Sequence, residues 1–142
     1  MLGRLCRWLR ILGEDAAYFT GNGKGGILYR SLKERRVILT RDSSLAPRKA
    51  YGVYHVGSCD FRVQLKEVKE RFGITVSKDR IFTRCAGCNS VLAQAEKRSV
   101  RGKVPGYIFS SHESFACCPR CGKVFWRGTH GELIKKVIET IK

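Results

Sequence analysis

Four cysteines carry the plainest chemistry in this chain, in two C-x-x-C pairs: Cys85-Ala-Gly-Cys88 and Cys118-Pro-Arg-Cys121. Four thiolates at about 2.3 Å satisfy a tetrahedral zinc ion, and two such turns deliver them without strain. In the second pair, Pro119 stiffens the turn and Gly122 permits the positive φ that aims backbone N–H groups at sulfur. Residues 89–117 separate the pairs, more than the roughly 15–20 residues of the simplest two-knuckle pattern, so an insertion must loop out between them. Two disulfides, buried thiols and a redox motif are the competing readings. Seven cysteines, an odd number, without an apolar leader point to a reducing cytoplasm, where such pairs bind metal, and a redox motif needs only one pair. Cys117 adjoins Cys118, but pairing it with Cys121 lengthens the spacer and loses the C-P-x-C-G turn. The expectation is a structural zinc ribbon held by Cys85, Cys88, Cys118 and Cys121, with Cys6 and Cys59 as small buried hydrophobes.

Asp42 is the acid placed for chemistry, because it follows the apolar run Val37-Ile-Leu-Thr40 and open α/β sheets bind ligands beyond the carboxyl ends of their strands. A metal-dependent nuclease gathers carboxylates at such a place to hold Mg²⁺ or Mn²⁺, which activates water and steadies the leaving oxygen. One carboxylate is not a metal site, and Glu14, Asp15 and Asp60 have no diagnostic spacing to it. The alternative is that Asp42 caps a following helix through the amides of residues 43 and 44. Gly21-x-Gly23-x-x-Gly26 matches the dinucleotide-binding glycine pattern. Too little chain lies outside the ribbon for that fold, so a mobile loop, phosphate-contacting or merely solvated, is the better reading. His130, near Trp126 and Arg127, can stack on or donate to a nucleotide, or be structural. His55 and His112 show no partner pattern.

Charge says what these groups would meet. In 142 residues, 28 Lys and Arg stand against 12 Asp and Glu, a net +16 with a pI near 10, and both halves share the excess. Such a surface is best matched to a polyanion, since neutralising phosphate releases counterions; RNA is favoured over DNA. A solvated basic surface, an acidic protein or an anionic membrane surface are the alternatives. Arg4, Arg7, Arg10, Lys24, Arg41, Trp126, Arg127 and His130 are the RNA-contact candidates. No stretch has the apolar length of a membrane span.

The elements that must position these groups are legible in outline. Leu2, Leu5, Leu9 and Leu12 recur at helical spacing, with Arg4, Arg7 and Arg10 on other faces; a core-facing helix explains this better than a transit peptide. A short strand is expected at 16–19, a flexible loop at 21–26, and a helix over 27–36 whose inner side is Ile27, Leu28, Ser31 and Leu32. Strands at 37–40 and 51–56 and a helix at 61–72 follow. Strands alternating with helices imply a parallel α/β sheet. The ribbon begins near Phe82, with a strand and helical turn in 90–100, a break at Pro105-Gly106, a returning strand at 123–127, and a last helix capped by Thr129 and Glu132. Two domains are expected, 1–81 and 82–142.

Four segments together, Met1-Leu-Gly-Arg-Leu-Cys-Arg-Trp-Leu-Arg-Ile-Leu-Gly13, Ile38-Leu-Thr-Arg-Asp42, Arg84-Cys-Ala-Gly-Cys-Asn89 and Cys118-Pro-Arg-Cys-Gly-Lys-Val-Phe-Trp-Arg-Gly-Thr-His130, resemble the Mut-seven C-terminal RNase domain family over nearly the whole chain. The resemblance implies a PIN-like α/β nuclease fold followed by a zinc ribbon, RNA as substrate or partner, and a divalent-metal acidic site to which Asp42 corresponds. The family's first acidic residue lies on a strand before the Met-Leu-Gly segment, and its next falls within Gly23 to Ile27, where this chain has Lys24 and no acid. Either the sequence omits upstream residues, or this is a degenerate member that keeps fold and RNA affinity without cleavage. The lost helix-start acid favours the second, so the leading expectation is a non-catalytic or weakly catalytic RNA-binding protein associated with a ribonucleoprotein. An active Mg²⁺- or Mn²⁺-dependent ribonuclease and a zinc-ribbon adaptor for protein partners are the alternatives.

Overall fold

The structure, a computed structural model, describes residues 2–45, 49–127 and 130–142. It is mixed α/β: α1 Gly3–Ile11, α2 Gly23–Glu34, β1 Val37–Thr40, β2 Gly52–His55, α3 Phe61–Phe72, β3 Ala93–Ala95, a 3-10 turn Lys97–Val100, α4 Gly106–Ser111, β4 Phe115–Cys117, β5 Val124–Trp126 and α5 His130–Thr140. The chain divides into two compact units, Met1–Cys6 with Ala17–Ile74, and Arg7–Ala16 with Thr75–Lys142.

In the first unit β1 and β2 pair in parallel, Val37 opposite Gly52 through Thr40 opposite His55, and the Val56 N–H extends the ladder to the Thr40 carbonyl at 2.8 Å. Parallel neighbours need a crossover, as expected from the alternation of elements. Ser31, like Gln64 of α3, is a polar residue that belongs inside. Its hydroxyl donates to the Arg36 carbonyl (2.6 Å) and accepts from the Tyr51 N–H (3.1 Å), tying the end of α2 to the approach to β2. Helix α3 has both ends specified. The Asp60 carboxylate accepts from the Arg62 and Val63 amides, and Gly73 closes the helix in the left-handed region. Its apolar face, Phe61, Leu65 and Val68, is buried. Asp60→Ala is expected to lower the stability of this helix by about 1 kcal/mol, measurable by denaturant titration.

Four expectations for this unit are corrected. Residues 16–19 form no strand, so the parallel sheet has two strands among the described residues. The glycine segment is largely helical, because α2 begins at Gly23 rather than at residue 27. Its glycines serve packing: a Cβ on Gly21 or Gly26 would lie 2.6 Å or 3.0 Å from the Phe19 ring, so that ring rests against bare backbone. Leu32 faces solvent instead of the core. Cys59 is likewise exposed, whereas Cys6 is buried as expected.

In the second unit β3, β4 and β5 make an antiparallel sheet with Ala93 opposite Cys117 and Cys117 opposite Val124. The insertion between the cysteine pairs supplies its own small core: Val100 from the 3-10 turn, Val104, Ile108 of α4 and Phe115 of β4, with Phe109, Val124 and Trp126 packed on it. On α5, Ile134, Val137 and Ile141 are buried at helical spacing. The proposed Thr129–Glu132 cap falls on Thr129, which lies outside the described residues. No helix among the described residues is long and apolar enough to cross a membrane.

Candidate metal centre and basic surface

The two cysteine pairs fold into copies of one turn. In the first, the Cys85 N–H donates to the Ser90 carbonyl (2.8 Å) and the Asn89 N–H to the Cys85 carbonyl (2.9 Å). In the second, the Cys118 N–H donates to the Lys123 carbonyl (2.9 Å) and the Gly122 N–H to the Cys118 carbonyl (2.9 Å). The residue after each second cysteine takes a positive φ, 73° at Asn89 and 76° at Gly122, which turns the chain back and leaves N–H groups facing sulfur. The Cys121 N–H lies 3.4 Å from Cys118 Sγ.

The four sulfurs lie within 4.8 Å of one another, with Cys88–Cys118 at 3.3 Å and Cys85–Cys121 at 3.7 Å. Thiolates around one zinc at about 2.3 Å sit about 3.8 Å apart, so the donor set and spacing fit a tetrahedral zinc ion. Cys85 and Cys118 are buried while Cys121 is exposed. Cys117 stands outside the cluster, its Sγ 3.7 Å from the Cys118 carbonyl oxygen, so Cys118 is the member that joins. Local environment already separates the thiols. Burial pushes Cys85 up to about 11, whereas the Ser90 hydroxyl and amide bring Cys88 down to about 6. The Cys121 amide lowers Cys118. A bound dication would draw all four into the thiolate form.

A collar of residues outside the motif holds the first knuckle. Arg10 is 8 % exposed; its Nε donates to the Ala16 carbonyl (2.7 Å), and its Nη1 to the carbonyls of Ala86 (3.2 Å) and Gly87 (2.8 Å). The Asn89 side chain accepts from the Ala16 N–H (3.1 Å) and donates to Asp15 (2.6 Å). Arg10 is thereby corrected: it is a buried structural arginine, not a member of a basic surface. Sequence type argued the other way, since arginine is rarely buried. Asn89, by contrast, carried a signal, because a residue after C-x-x-C that tolerates positive φ marks a knuckle.

The remaining RNA-contact candidates are scattered in character. Arg4 is exposed and lies over the Phe61 ring at 3.8 Å; Arg7, Lys24, Arg41 and Arg127 are exposed. Trp126 is half-buried against the ribbon core, which leaves only part of its ring for stacking. The His130 side chain lies outside what is described.

Asp42 follows β1 as expected, and residues 43 and 44 after it form a turn. Its carboxylate makes a local turn, with Oδ1 accepting from the Ser44 N–H at 2.9 Å and from the Ser44 hydroxyl. Oδ2 lies 3.6 Å from Lys24 Nζ, and Lys24 also donates to Ser44 Oγ. His55 Nε2 donates to the Asp42 carbonyl at 3.0 Å. The Ser44 hydroxyl, then its amide, and Lys24 hold the Asp42 carboxyl below its usual range. A hard divalent cation wants about six oxygen ligands, and this site offers one carboxylate already engaged on both oxygens. Among the described residues the only group of three or more potential ligands is the cysteine quartet. The residues at Asp42 therefore do not fit Mg²⁺ or Mn²⁺.

A mixed α/β chain with a strong positive charge and paired cysteine knuckles defines a basic zinc-ribbon protein. A family model, the Mut7-C RNAse domain, matches residues 1–138, and the chain belongs to that family. No curated protein and no solved structure matches it.

Proposed function

We propose that this protein is an RNA-binding member of the Mut7-C RNase family whose ribbon is structural and whose acidic position does not support divalent-metal cleavage. The observation that carries the reading is a net charge of +16 on a chain of a ribonuclease family. Family membership supplies the nucleic acid and the charge supplies the affinity. Loss of cleavage is supported by Lys24 standing against the lone carboxylate of Asp42. A reducing cytoplasm suits four zinc-ligating thiolates, and a ribonucleoprotein is the setting in which binding without cutting has a use.

Labelled single-stranded RNA, titrated by fluorescence anisotropy in EDTA, tests the binding. With about five phosphate contacts, affinity should fall roughly a hundredfold between 50 and 200 mM salt. An affinity unmoved by salt would remove the reading. The active-ribonuclease alternative has one observation in its favour, the family itself. It requires that RNA be cut in Mn²⁺ by wild type and left intact by Asp42→Ala.

A further inference from the structure

Lys24 and Asp42 come from different elements, α2 and the turn after β1, and their meeting is over-determined. The Asp42 N–H donates to Thr40 Oγ1 at 3.0 Å and the Asp42 carbonyl accepts from His55 Nε2, which fixes the backbone on both sides of the side chain. Ser44 then holds Oδ1 through amide and hydroxyl, which leaves Oδ2 turned to the Lys24 ammonium. The same ammonium donates to Ser44 Oγ, so cation, carboxylate and hydroxyl close a three-membered network. The first turn of α2 contains no acidic residue that would draw Lys24 elsewhere.

We infer that Lys24 is the built-in counter-cation of this acidic position, its ammonium standing where a divalent ion would otherwise neutralise Asp42, so that the site excludes Mg²⁺ and Mn²⁺. A monovalent ammonium satisfies a single carboxylate and needs no octahedral shell. A dication arriving there would meet a like charge 3.6 Å from Oδ2 and one carboxylate instead of several. Access is not the obstacle: the Lys24 and Asp42 side chains are 57 % and 44 % exposed, so exclusion here is electrostatic. The inference rests on the non-cleaving reading above and gives it a chemical cause in one residue.

Mn²⁺ titration of the full zinc-loaded chain, followed by the loss of the free Mn²⁺ resonance in electron paramagnetic resonance, tests it in wild type, Lys24→Glu, Asp42→Asn and the double variant. Wild type and Asp42→Asn should give the same weak binding. Lys24→Glu places a second carboxylate beside the first and should bind Mn²⁺ about tenfold tighter or more, since hard-cation affinity rises with ligand charge. The double variant should lose that gain. Tight wild-type binding abolished by Asp42→Asn would overturn the inference, and so would a Lys24→Glu protein that gains nothing. RNA anisotropy in EDTA is measured separately on the same proteins. An absence of RNA binding there sinks the RNA reading while the Mn²⁺ comparison still decides the role of Lys24.

Discussion

Removing the metal with a strong chelator, or replacing Cys118 with serine, is expected to unfold the unit made of residues 7–16 and 75–142. Its strands β3, β4 and β5 are three residues each, shorter than a sheet that stands alone, and its insertion core is built on four buried side chains. Even with Leu9, Leu12, Ile134, Val137 and Ile141 added, so small a core leaves little margin against the conformational entropy of ordering some eighty residues without a cross-link. Structural zinc in comparable knuckles contributes an apparent 10–16 kcal/mol or so at neutral pH, several times the margin by which small domains are stable. Loss of the ion also leaves sulfurs at 3.3 Å and 3.7 Å with no charge between them. Serine cannot replace the buried Cys118 thiolate, because its hydroxyl stays protonated and is a poor zinc ligand. Far-UV circular dichroism with chelator, and then with zinc restored, measures the effect; the fluorescence of Trp8 and Trp126, both in this unit, should shift red in parallel as it opens. A chelated protein that keeps its spectrum and its cooperative thermal transition would mean that the cysteines are not a structural metal site.

The grouping of four cysteines was legible in the sequence because the information in each knuckle is local. Each knuckle is a turn of six residues whose hydrogen bonds close within the motif, so spacing alone selects Cys85, Cys88, Cys118 and Cys121. Helix α3 was legible for the same reason, from the helical spacing of the apolar residues in 61–72. Failures occurred where structure depends on distant partners. The glycines at 21–26 looked like a loop because glycine disfavours helix, yet Phe19 packs against two of them and α2 still begins at Gly23. Residues 16–19 carry apolar side chains suited to a strand, but part of their hydrogen bonding goes to side chains: the Ala16 amide to Asn89 and its carbonyl to Arg10. Asp42 was placed correctly at the end of β1 and the Ser44 amide was read as its partner, while Lys24, whose ammonium reaches both Asp42 and Ser44, was invisible. Proximity across twenty residues leaves no trace in spacing.

Arg10→Ala is expected to cost about 3–5 kcal/mol of stability, and Arg7→Ala, three residues earlier on the same helix, less than about 0.5 kcal/mol. The difference follows from burial. Arg7 is exposed, whereas Arg10 is 8 % exposed and ends on three backbone carbonyls, those of Ala16, Ala86 and Gly87. Alanine would leave those acceptors facing a cavity, and bonds from a charged donor are worth roughly 1.5–3 kcal/mol apiece before overlap between them is discounted. The cluster beside it adds a reason for a cation. Four thiolates around a dication carry two net negative charges, and a buried guanidinium close by in the fold has a field to answer even where it touches no carboxylate. Lysine is an inadequate substitute because one ammonium cannot reproduce the planar fork that reaches Ala16 with Nε and the knuckle with Nη1, so Arg10→Lys should fall between wild type and alanine. Urea unfolding in excess zinc separates the three variants by their midpoints. RNA anisotropy over a salt series supplies the opposing outcome. If Arg10→Ala keeps the wild-type midpoint and flattens the salt slope by about the share of one phosphate contact, then Arg10 binds RNA and the knuckle does not depend on it. If the midpoint falls and the slope of the folded fraction is unchanged, the arginine at position 10 belongs to the architecture of the metal site.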